Sequence, residues 1–299
     1  MGNLLFNRAA VVTVETDVGS GIEFGSVPES TAEHSFYRQG LRVVFDVVKS
    51  SEANANTARI QVYNASSESR AKVEREGQRI LLRAGYSVYP GMAPTIENLF
   101  SGTVASVNTV RNGPDIITTF EAGDAEKDIQ QAKINKSYAP RSLALQIIND
   151  LASSIGVRLD AESLASIPTT IFQHGFTATG SSKKILSELV ARMGLEWSIQ
   201  DGELKVLKPG LPSSDLSIVL TSDTGLLSVS NIVKEGGKPD AKKTGIEARS
   251  LLYPSIRPHR LLTISSQKIN GAYKVRKVTH RGDTHEGEWT STTEAHELG

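Results

Sequence analysis

The spacing of apolar residues changes twice along this chain of 299 residues. In residues 1–125, apolar and polar side chains tend to alternate as they do in half-buried strands; within 57–64, for example, Ala58, Ile60 and Val62 share one face. The middle of the chain instead repeats apolar residues every four positions, which is typical of amphipathic helices. Strand-like segments then return. This order predicts a mainly β protein with an α/β insertion.

The N-terminal region predicts an all-β unit that contains one short helix. Glycines in 19–25 predict a loop between strands, and the sequence NGPD at 112–115 predicts a hairpin turn. In 66–77, Val73 stands nearly alone among charged residues, which predicts a short exposed helix that Gly77 stops. Several short strands separated by turns are typical of a barrel or a sandwich. The predicted strands are 9–16, 41–50, 57–64, 79–87, 99–110 and 115–124.

The middle of the chain predicts two helices, 142–156 and 181–194, each with an apolar stripe. When Gly156 is aligned with Gly194, apolar positions coincide, so the two segments form an internal repeat of a helix, a glycine and a strand. Two such units are too few for a solenoid, so they predict a compact α/β insertion. The two stripes consist of Leu143, Ile147, Leu151 and Ile155 in the first helix and Ile185, Leu189 and Met193 in the second.

The insertion ends in a predicted hairpin over 195–207, because Asp201–Gly202 is a sequence that favours a tight two-residue turn. A second all-β unit follows. The domain boundaries predicted from these changes are 1–125 for the first β unit, 126–210 for the insertion and 211–299 for the second β unit. The predicted strands of the second β unit are 226–234, 244–252, 260–266, 271–283 and 286–295.

Composition and charge argue against several classes of protein. Lys+Arg and Asp+Glu both number 33, so the formal net charge is zero, whereas general nucleic-acid binding needs clustered basic residues. The chain has no Cys, so it forms no disulfide framework and no thiolate zinc site. No apolar run reaches the roughly 18 residues of a transmembrane helix, which predicts no membrane insertion.

The candidate chemical motifs are weak, so we predict no catalytic, metal or cofactor-binding residue and no cofactor. His285–Glu286 begins like a zinc-protease helix, but the second histidine of that motif is replaced by Trp289. The other histidines are scattered and lack ligand spacing. Carboxylate pairs could act in glycoside hydrolysis, but the chain is poor in the aromatic residues that sugar clefts need. These carboxylates are Glu15 with Asp17, and Asp124 with Glu126 and Asp128.

Three segments together resemble a known family. Segment 41–66 contains N-T-A-x-I-x-V-Y-N, segment 248–266 contains L-Y-P-x-I-x-P, and segment 271–295 contains Y-K-V-x-x-V-x-H-x-G-D-T. In this order the set resembles the baseplate hub proteins of contractile-tailed bacteriophages, which are related to the base of the type VI secretion spike and to the late-control D hubs. The resemblance covers about 40–125 and 215–295, with the α/β insertion in the expected place.

The resemblance implies a structural protein and not an enzyme. Hubs of this family are homotrimers in which each subunit contributes two similar β-barrel tube domains flanking a small α+β region. Their ring of six barrels is a symmetry adapter that joins the sixfold tail tube to the threefold central spike. No spike or lysozyme domain follows in the sequence, so the puncturing device is expected to be a separate chain.

The resemblance also implies partners and a location. The expected partners are other copies of the chain, the tail tube protein, the central spike protein, the tape-measure protein and neighbouring baseplate proteins, with DNA only in transit through the lumen. The expected location is the virion tail baseplate, assembled in the bacterial host cytoplasm. The Gly/Pro/Lys loop 235–243 is predicted to contact another tail protein through Lys238, Asp240, Lys242 and Lys243.

Two alternative functions remain open from the sequence. The first is a carbohydrate- or receptor-binding β-module on a virion surface, which would need an exposed aromatic groove that includes Trp197 or Trp289. The second is a tail-associated peptidoglycan hydrolase, which the carboxylate pairs motivate.

Overall fold

The computed structural model describes residues 7–15, 21–26, 40–53, 55–74, 78–86, 95–124, 126–235 and 242–298. Strands predominate, as the sequence predicts, and most of them belong to one large antiparallel sheet. The N-terminal part consists of β1 (Arg8–Glu15), β2 (Gly21–Ser26), β3 (Val43–Ser50), β4 (Thr57–Tyr63), α1 (Ser67–Val73), β5 (Arg79–Tyr86), β6 (Thr95–Asn112) and β7 (Asp115–Gly123).

The middle part contains four helices and several short strands. Its elements are α2 (Glu126–Gln131), β8 (Lys133–Tyr138), β9 (Ser142–Leu143), α3 (Ala144–Ile155), β10 (Arg158–Leu159), α4 (Ala161–Ser166), β11 (Ile171–Phe172), β12 (Phe176–Ser181), α5 (Ser182–Arg192), β13 (Glu196–Gln200) and β14 (Glu203–Leu207). The two helices of the predicted repeat, α3 and α5, contact each other, and the strands β8 and β12, which lie before them in the chain, pair.

The C-terminal part is again dominated by strands. Its elements are β15 (Ile218–Leu220), a 3-10 turn (Ser222–Thr224), β16 (Leu226–Glu235), β17 (Lys242–Leu251), β18 (Leu261–Ser265), β19 (Asn270–Asp283) and β20 (Trp289–Glu297). The five strands predicted here are all present. β15 was not predicted, because three residues are too few to show a period.

One sheet connects the N-terminal and C-terminal parts. Its strand order is β16-β17-β20-β19-β3-β4-β7-β6-β5-β1-β2, and β18 pairs with both β19 and β15. The connection is made by the fourteen-residue strand β19, whose residues Lys277–Asp283 pair with β3. Within the described residues this order does not close on itself, although Leu41 N donates to Gly25 O at 2.8 Å beside β2. The pair of closed barrels therefore stays a prediction.

Buried apolar residues form three clusters. The first lies between the N-terminal strands, the second in the α/β insertion and the third among the C-terminal strands. Leu252 and Trp289 come from the C-terminal part of the chain but pack in the first cluster. The N- and C-terminal parts thus share apolar packing as well as strand pairing.

Two expectations for the N-terminal region and the first helix are wrong. The segment 19–25 was expected to be a loop, but Gly21–Ser26 is strand β2, which pairs with β1 and buries Phe24. Glycines flank this strand, so its alternation of apolar and polar residues is too short to predict a strand. Leu143 was expected in the helical stripe, but it precedes the first turn of α3 and is 42% exposed.

The stripe of the second helix is shifted by one position. The side chains of Ile185 and Met193 are only partly buried, whereas Leu186, Leu189 and Val190 are buried. The predicted hairpin on Asp201–Gly202 is confirmed. Both of its turn residues have a positive φ, 53° at Asp201 and 84° at Gly202, as a type I′ turn requires.

Candidate functional site

Trp289 anchors the C-terminal strands in the N-terminal core. Its ring is 3% exposed and meets Phe45 and Tyr86 edge-on, with ring centroids 5.4 and 6.4 Å apart. Gly282, opposite Phe45 across the β3–β19 pairing, leaves room for this packing, since a Cβ there would lie 2.2 Å from Phe45 Cζ. Only glycine fits at this position without a shift of the ring or the strand.

The N- and C-terminal parts meet where β3 pairs with β19, and we call this boundary the seam. An ion pair lies at the seam, at the edge of the core. Arg42 donates to both carboxylate oxygens of Asp283, at 3.1 and 2.5 Å, and its guanidinium lies 4.9 Å from the ring centre of Tyr63. Burial acts to raise the pKa of Asp283, but Arg42 and the backbone N–H groups of His285 and Glu286 hold that pKa below its ordinary value. Asp283 is therefore ionised at neutral pH.

Alternating charges cross the outer face of the sheet at one level. Strand pairing places Glu121, Arg59, Asp46 and Arg281 side by side on β7, β4, β3 and β19. Arg59 lies 3.4 Å from Glu121, and Arg281 lies 2.9 Å from Asp46. This charge row is largely exposed, has no net charge and continues across the seam between the N- and C-terminal parts.

A pocket of about 280 Å³ opens beside the charge row. It is lined by residues of β3, β4, β19 and the turn before β20, among them Phe45, Gln61 and Gly282. The charged residues at its wall are paired with neighbours, including Glu288 with Arg249 at 2.9 Å. The pocket is thus lined by both signs of charge, three carboxylates and two guanidinium groups.

The α/β insertion reaches the N-terminal part through its β13–β14 turn. Asp201 in this turn accepts from Lys49 Nζ with both oxygens at 2.7 Å, and one of the two also accepts from Ser101 N at 3.2 Å. Lys49 is 1% exposed, because it occupies a core-facing position of β3. Arg257 from the C-terminal part lies 3.9 Å from the same carboxylate.

A second carboxylate, that of the buried Asp124, supports the first. Asp124 accepts from Asn56 N at 2.6 Å, from Asn56 Nδ2 at 2.7 Å and from Asp201 N at 3.2 Å. Asn56 Nδ2 also lies 3.0 Å from both Ile199 O and Gln200 Oε1. We call Lys49, Asn56, Asp124, Gln200 and Asp201 the buried joint, because these residues connect the N-terminal strands with the insertion.

Burial is the largest cause of the pKa shifts of Asp124 and Lys49 in the joint. It raises the pKa of Asp124 to about 7, against the opposing effects of Asn56 and Lys49. It also lowers the pKa of Lys49, although Asp201 acts in the opposite direction. The charges of Asp124 and Lys49 therefore depend on one another.

The insertion and the C-terminal part meet at a third polar contact. Ser198 Oγ lies 2.8 Å from His259 Nε2, and Glu196 binds Lys274 and lies 3.7 Å from His259 Nδ1. The order of serine, histidine and carboxylate resembles a hydrolase triad. Ser198 and His259 are only 0% and 1% exposed, and burial followed by Lys274 and Lys205 lowers the pKa of His259 to about 3. A substrate does not reach this serine in the structure, so the group acts as a structural contact.

Of the residues named for the two alternative functions, both tryptophans and Asp124 are buried and Glu15 is exposed. Trp197 is 5% exposed and Trp289 is 3% exposed, so the expected aromatic platform is wrong for both. Asp124 is buried in the joint, and Asp17 lies outside the described residues. The side chains of the other two carboxylates of that group, at 126 and 128, are also not described.

The predicted contact loop is described only at its ends. Lys238 and Asp240 lie outside the described residues. Lys242 and Lys243 begin β17, where they pair with Glu235 and Lys234 of β16. The role of the loop stays a prediction.

Neither a metal cluster nor a membrane-spanning helix is found in the described part of the chain. There, no group of three or more His, Asp or Glu is placed to hold an ion. The helices over the same residues are too short or too polar to cross a bilayer.

Comparison with solved structures identifies the fold. The 43 kDa tail protein of prophage MuSo2 from Shewanella oneidensis matches with a TM-score of 0.64 and 9% identity, over 98% of this chain and 99% of that chain. The chain therefore has the fold of a phage tail protein. The tail protein from Neisseria meningitidis shares this tail fold with a TM-score of 0.62 and 8% identity, over 98% of this chain and 97% of that one.

A secretion-system protein has the same tail fold. It is an E. coli component of the type VI secretion system, described as structurally similar to bacteriophage tail proteins gp27 and gp5. It matches with a TM-score of 0.55 and 9% identity, over 86% of this chain and 74% of that chain. No protein-family model and no curated protein matches the sequence. The predicted resemblance to tail hub proteins is thus confirmed at the level of the fold.

Sequence reasoning missed the buried joint, although one signal was present. In the alternating strand 43–50, Lys49 follows Val43, Phe45 and Val47 on the face that points to the core. A lysine at such a position needs a buried partner. That partner, Asp201, is 152 residues away in sequence, and nothing in a local pattern indicates it.

Loss of the Lys49 charge should destabilise the protein strongly. Lys49→Met keeps much of the side-chain volume but leaves Asp201 without its buried counter-charge, so we expect a loss of about 3–5 kcal/mol in the free energy of unfolding. Urea denaturation measures this loss.

Two variants serve as controls for the lysine experiment. Lys72→Met removes an exposed pair with Glu68 and should leave the free energy of unfolding nearly unchanged. Adding Asp201→Asn to Lys49→Met should restore part of the loss, since asparagine tolerates the positive φ of this turn. A Lys49→Met protein as stable as the wild type would contradict the role assigned to the joint.

Asp124 should make stability depend on pH. Between its ordinary pKa of 3.8 and its folded value of about 7, the folded protein keeps a proton that the unfolded chain releases. Stability from this group is therefore complete below pH 3.8 and declines as the pH rises to 7.

Comparison with Asp124→Asn isolates this effect from other titrating groups. The difference in unfolding free energy between wild type and variant should fall with rising pH by at most about 1.4 kcal/mol per unit, and level off above pH 7. Denaturation curves at a series of pH values measure it. A difference that is constant over this range, or that increases, would show that the carboxyl keeps its ordinary pKa.

Proposed function

We propose that the protein is a structural baseplate hub of a phage contractile tail, and not an enzyme. In this proposal three copies form a ring that joins the sixfold tail tube to the threefold central spike. The observation that carries the proposal is the end-to-end correspondence with a phage tail protein, which covers 98% of this chain and 99% of that one. A shared domain alone would leave part of one chain unmatched.

The arrangement of the two β parts supports the ring. A trimer can match a sixfold tube only if each subunit contributes two similar units, which we propose to be barrel-like tube domains of the N- and C-terminal parts. Their strands belong to one sheet that β19 makes continuous. A continuous sheet carries load between the two units through hydrogen bonds rather than through a flexible linker.

The polar contacts between the parts also suit a mechanical role. The buried joint holds the insertion on the N-terminal strands, Ser198 and His259 hold it on the C-terminal part, and Arg42 with Asp283 closes the seam. Removing one partner of such a buried contact leaves an unsatisfied group, so each contact resists displacement. A hub that connects two symmetries would need this stiffness.

The proposed partners follow from the position of a hub. They are the tail tube protein, the central spike protein, the tape-measure protein and neighbouring baseplate proteins, assembled in the host cytoplasm into the virion tail baseplate. DNA would pass through the lumen without being retained. The paired charges of the row Glu121, Arg59, Asp46 and Arg281 fit this, because Arg59 and Arg281 each have a carboxylate partner.

The solution mass of the purified chain tests the proposal. Light scattering coupled to size exclusion should give about three times 32.2 kDa, and negative-stain images should show rings. Because a ring can also close only on meeting its partners, the measurement is repeated with the tube and spike proteins of the same virus. A chain that is monomeric both alone and with these proteins would contradict the hub.

We also propose that the loop 235–243 contacts one of these tail proteins through Lys238, Asp240, Lys242 and Lys243. Reversing the charges of the three lysines should weaken co-purification with that protein at least tenfold and leave the thermal unfolding midpoint unchanged. Matched reversal of Lys183 and Lys184 on α5 is the control. Particle assembly that is unaffected by the loop variant would overturn this assignment.

A further inference from the structure

The buried pair of Lys49 and Asp201 has the geometry of a reacting pair as well as that of an ion pair. Lys49 Nζ lies 2.7 Å from each carboxylate oxygen of Asp201. Since the nitrogen is equally far from both oxygens, it lies about 3 Å from the carbon between them, which is the separation of a nucleophile that is ready to attack. The tight turn holds Asp201 in place, with a φ of 53°.

Burial favours the uncharged form of the Lys49 amine. It lowers the pKa of this amine, and the charge of Arg257 acts in the same direction, although Asp201 opposes both. A proton that moves from the ammonium to the Asp201 carboxylate leaves a neutral amine, which is nucleophilic, beside a carboxylic acid. Burial, with Lys49 nearby, also lowers the pKa of His280 to about 3, so that residue adds no charge at neutral pH.

Two further groups are placed to assist an attack on Asp201. Ser101 N donates to Asp201 Oδ1 at 3.2 Å, so it can stabilise the negative charge that develops on this oxygen during an attack. Asp124 is 1% exposed and accepts from Asp201 N at 3.2 Å. Burial raises the pKa of Asp124 to about 7, and a carboxyl group with this pKa can give and take a proton at neutral pH.

We propose that Lys49 and Asp201 condense to an isopeptide bond that joins strand β3 covalently to the insertion. Nζ of Lys49 attacks Cγ of Asp201, so that the N–C bond forms and the C–Oδ2 bond breaks. Asp124 gives its proton to the departing oxygen, which leaves as water, and regains a proton from the amine nitrogen. The reaction needs no oxidant or reductant. This inference goes beyond the proposed hub and does not depend on it.

The bond would be a covalent cross-link in a chain that has no cysteine for a disulfide. It would join residues that lie 152 positions apart, and a link over so long a loop restricts the unfolded chain strongly. Water is kept from the site by burial, which protects the new amide from hydrolysis. The insertion would then stay on the N-terminal strands under a load that could break an ion pair.

Mass spectrometry of the intact, denatured chain tests the proposal. The purified wild-type protein should weigh less than its sequence mass by one water molecule. After digestion with trypsin, peptide 43–59 should be joined to peptide 193–205, because trypsin does not cleave after the modified lysine. A folded wild-type protein that keeps its full sequence mass would overturn the proposal.

Two substitutions should change the product in different ways. Lys49→Met should have its full sequence mass, because no amine is left to attack. Asp201→Asn tolerates the positive φ and carries an amide that Lys49 can displace, so the same two peptides should be joined with loss of ammonia instead of water. This variant reports a product, so it stays informative if Lys49→Met folds poorly. If Lys49→Met still lacked one water, the loss would lie in a cyclic imide of Asp201 with Gly202, and the bond would be excluded.

Lys136→Met is the matched control. Lys136 also lies 2.7 Å from an aspartate, Asp150, but both side chains are partly exposed. Water solvates both groups of an exposed pair, so we expect no attack there and the variant should still lack one water. A Lys136→Met protein with its full sequence mass would assign the bond to the exposed pair and contradict the assignment to Lys49.

Asp124→Asn tests the proton transfer. It keeps the side-chain volume but has no proton to give to the departing oxygen, so newly synthesised protein should form the bond more slowly by a factor of about 100. The wild-type rate should fall as the pH rises through about 7, where Asp124 loses its proton, and the variant should lack this fall. Mass spectra taken at intervals after cell-free synthesis give both rates. A variant with the rate and pH dependence of the wild type would overturn the role of Asp124.

Discussion

The pairing of Lys49 with Asp201 is the constraint on which the arrangement of the whole chain depends. The lysine lies on a core-facing position of the N-terminal sheet, and its counter-charge comes from a turn of the insertion, 2.7 Å away. A buried ammonium without that carboxylate would be costly, so the insertion is held where the charge is satisfied. Asn56 and Asp124 then orient the same turn, which makes the position specific as well as favourable.

The remaining contacts between parts follow the same design. Trp289, from a C-terminal strand, packs in the N-terminal core, and Arg42 binds Asp283 across the seam. Ser198 of the insertion contacts His259 of the C-terminal part. Groups that could perform chemistry elsewhere are here buried and satisfied by one another. This use of polar groups fits a protein that transmits force better than one that turns over a substrate, and it supports the proposed hub.

Much of the fold was predictable because its signals are local. The alternation of Ala58, Ile60 and Val62 identified β4, and Asp201–Gly202 identified a hairpin turn whose geometry requires positive φ. The prediction failed where the signal was short or was overridden by packing. Gly21–Ser26 was taken for a loop because two glycines flank a brief alternation, and Leu143 was assigned to a helix that begins one residue later.

The sequence by itself determined that strand-rich parts flank a part with two amphipathic helices, and that these helices repeat, since periodicity and turn chemistry act over a few residues. Three short motifs carried the resemblance to tail hubs. Only the tertiary structure decided which distant residues meet. It placed Lys49 on Asp201, buried both tryptophans and joined the two β parts through β19. Such pairings depend on the packing of whole elements in space, and no local pattern carries that information.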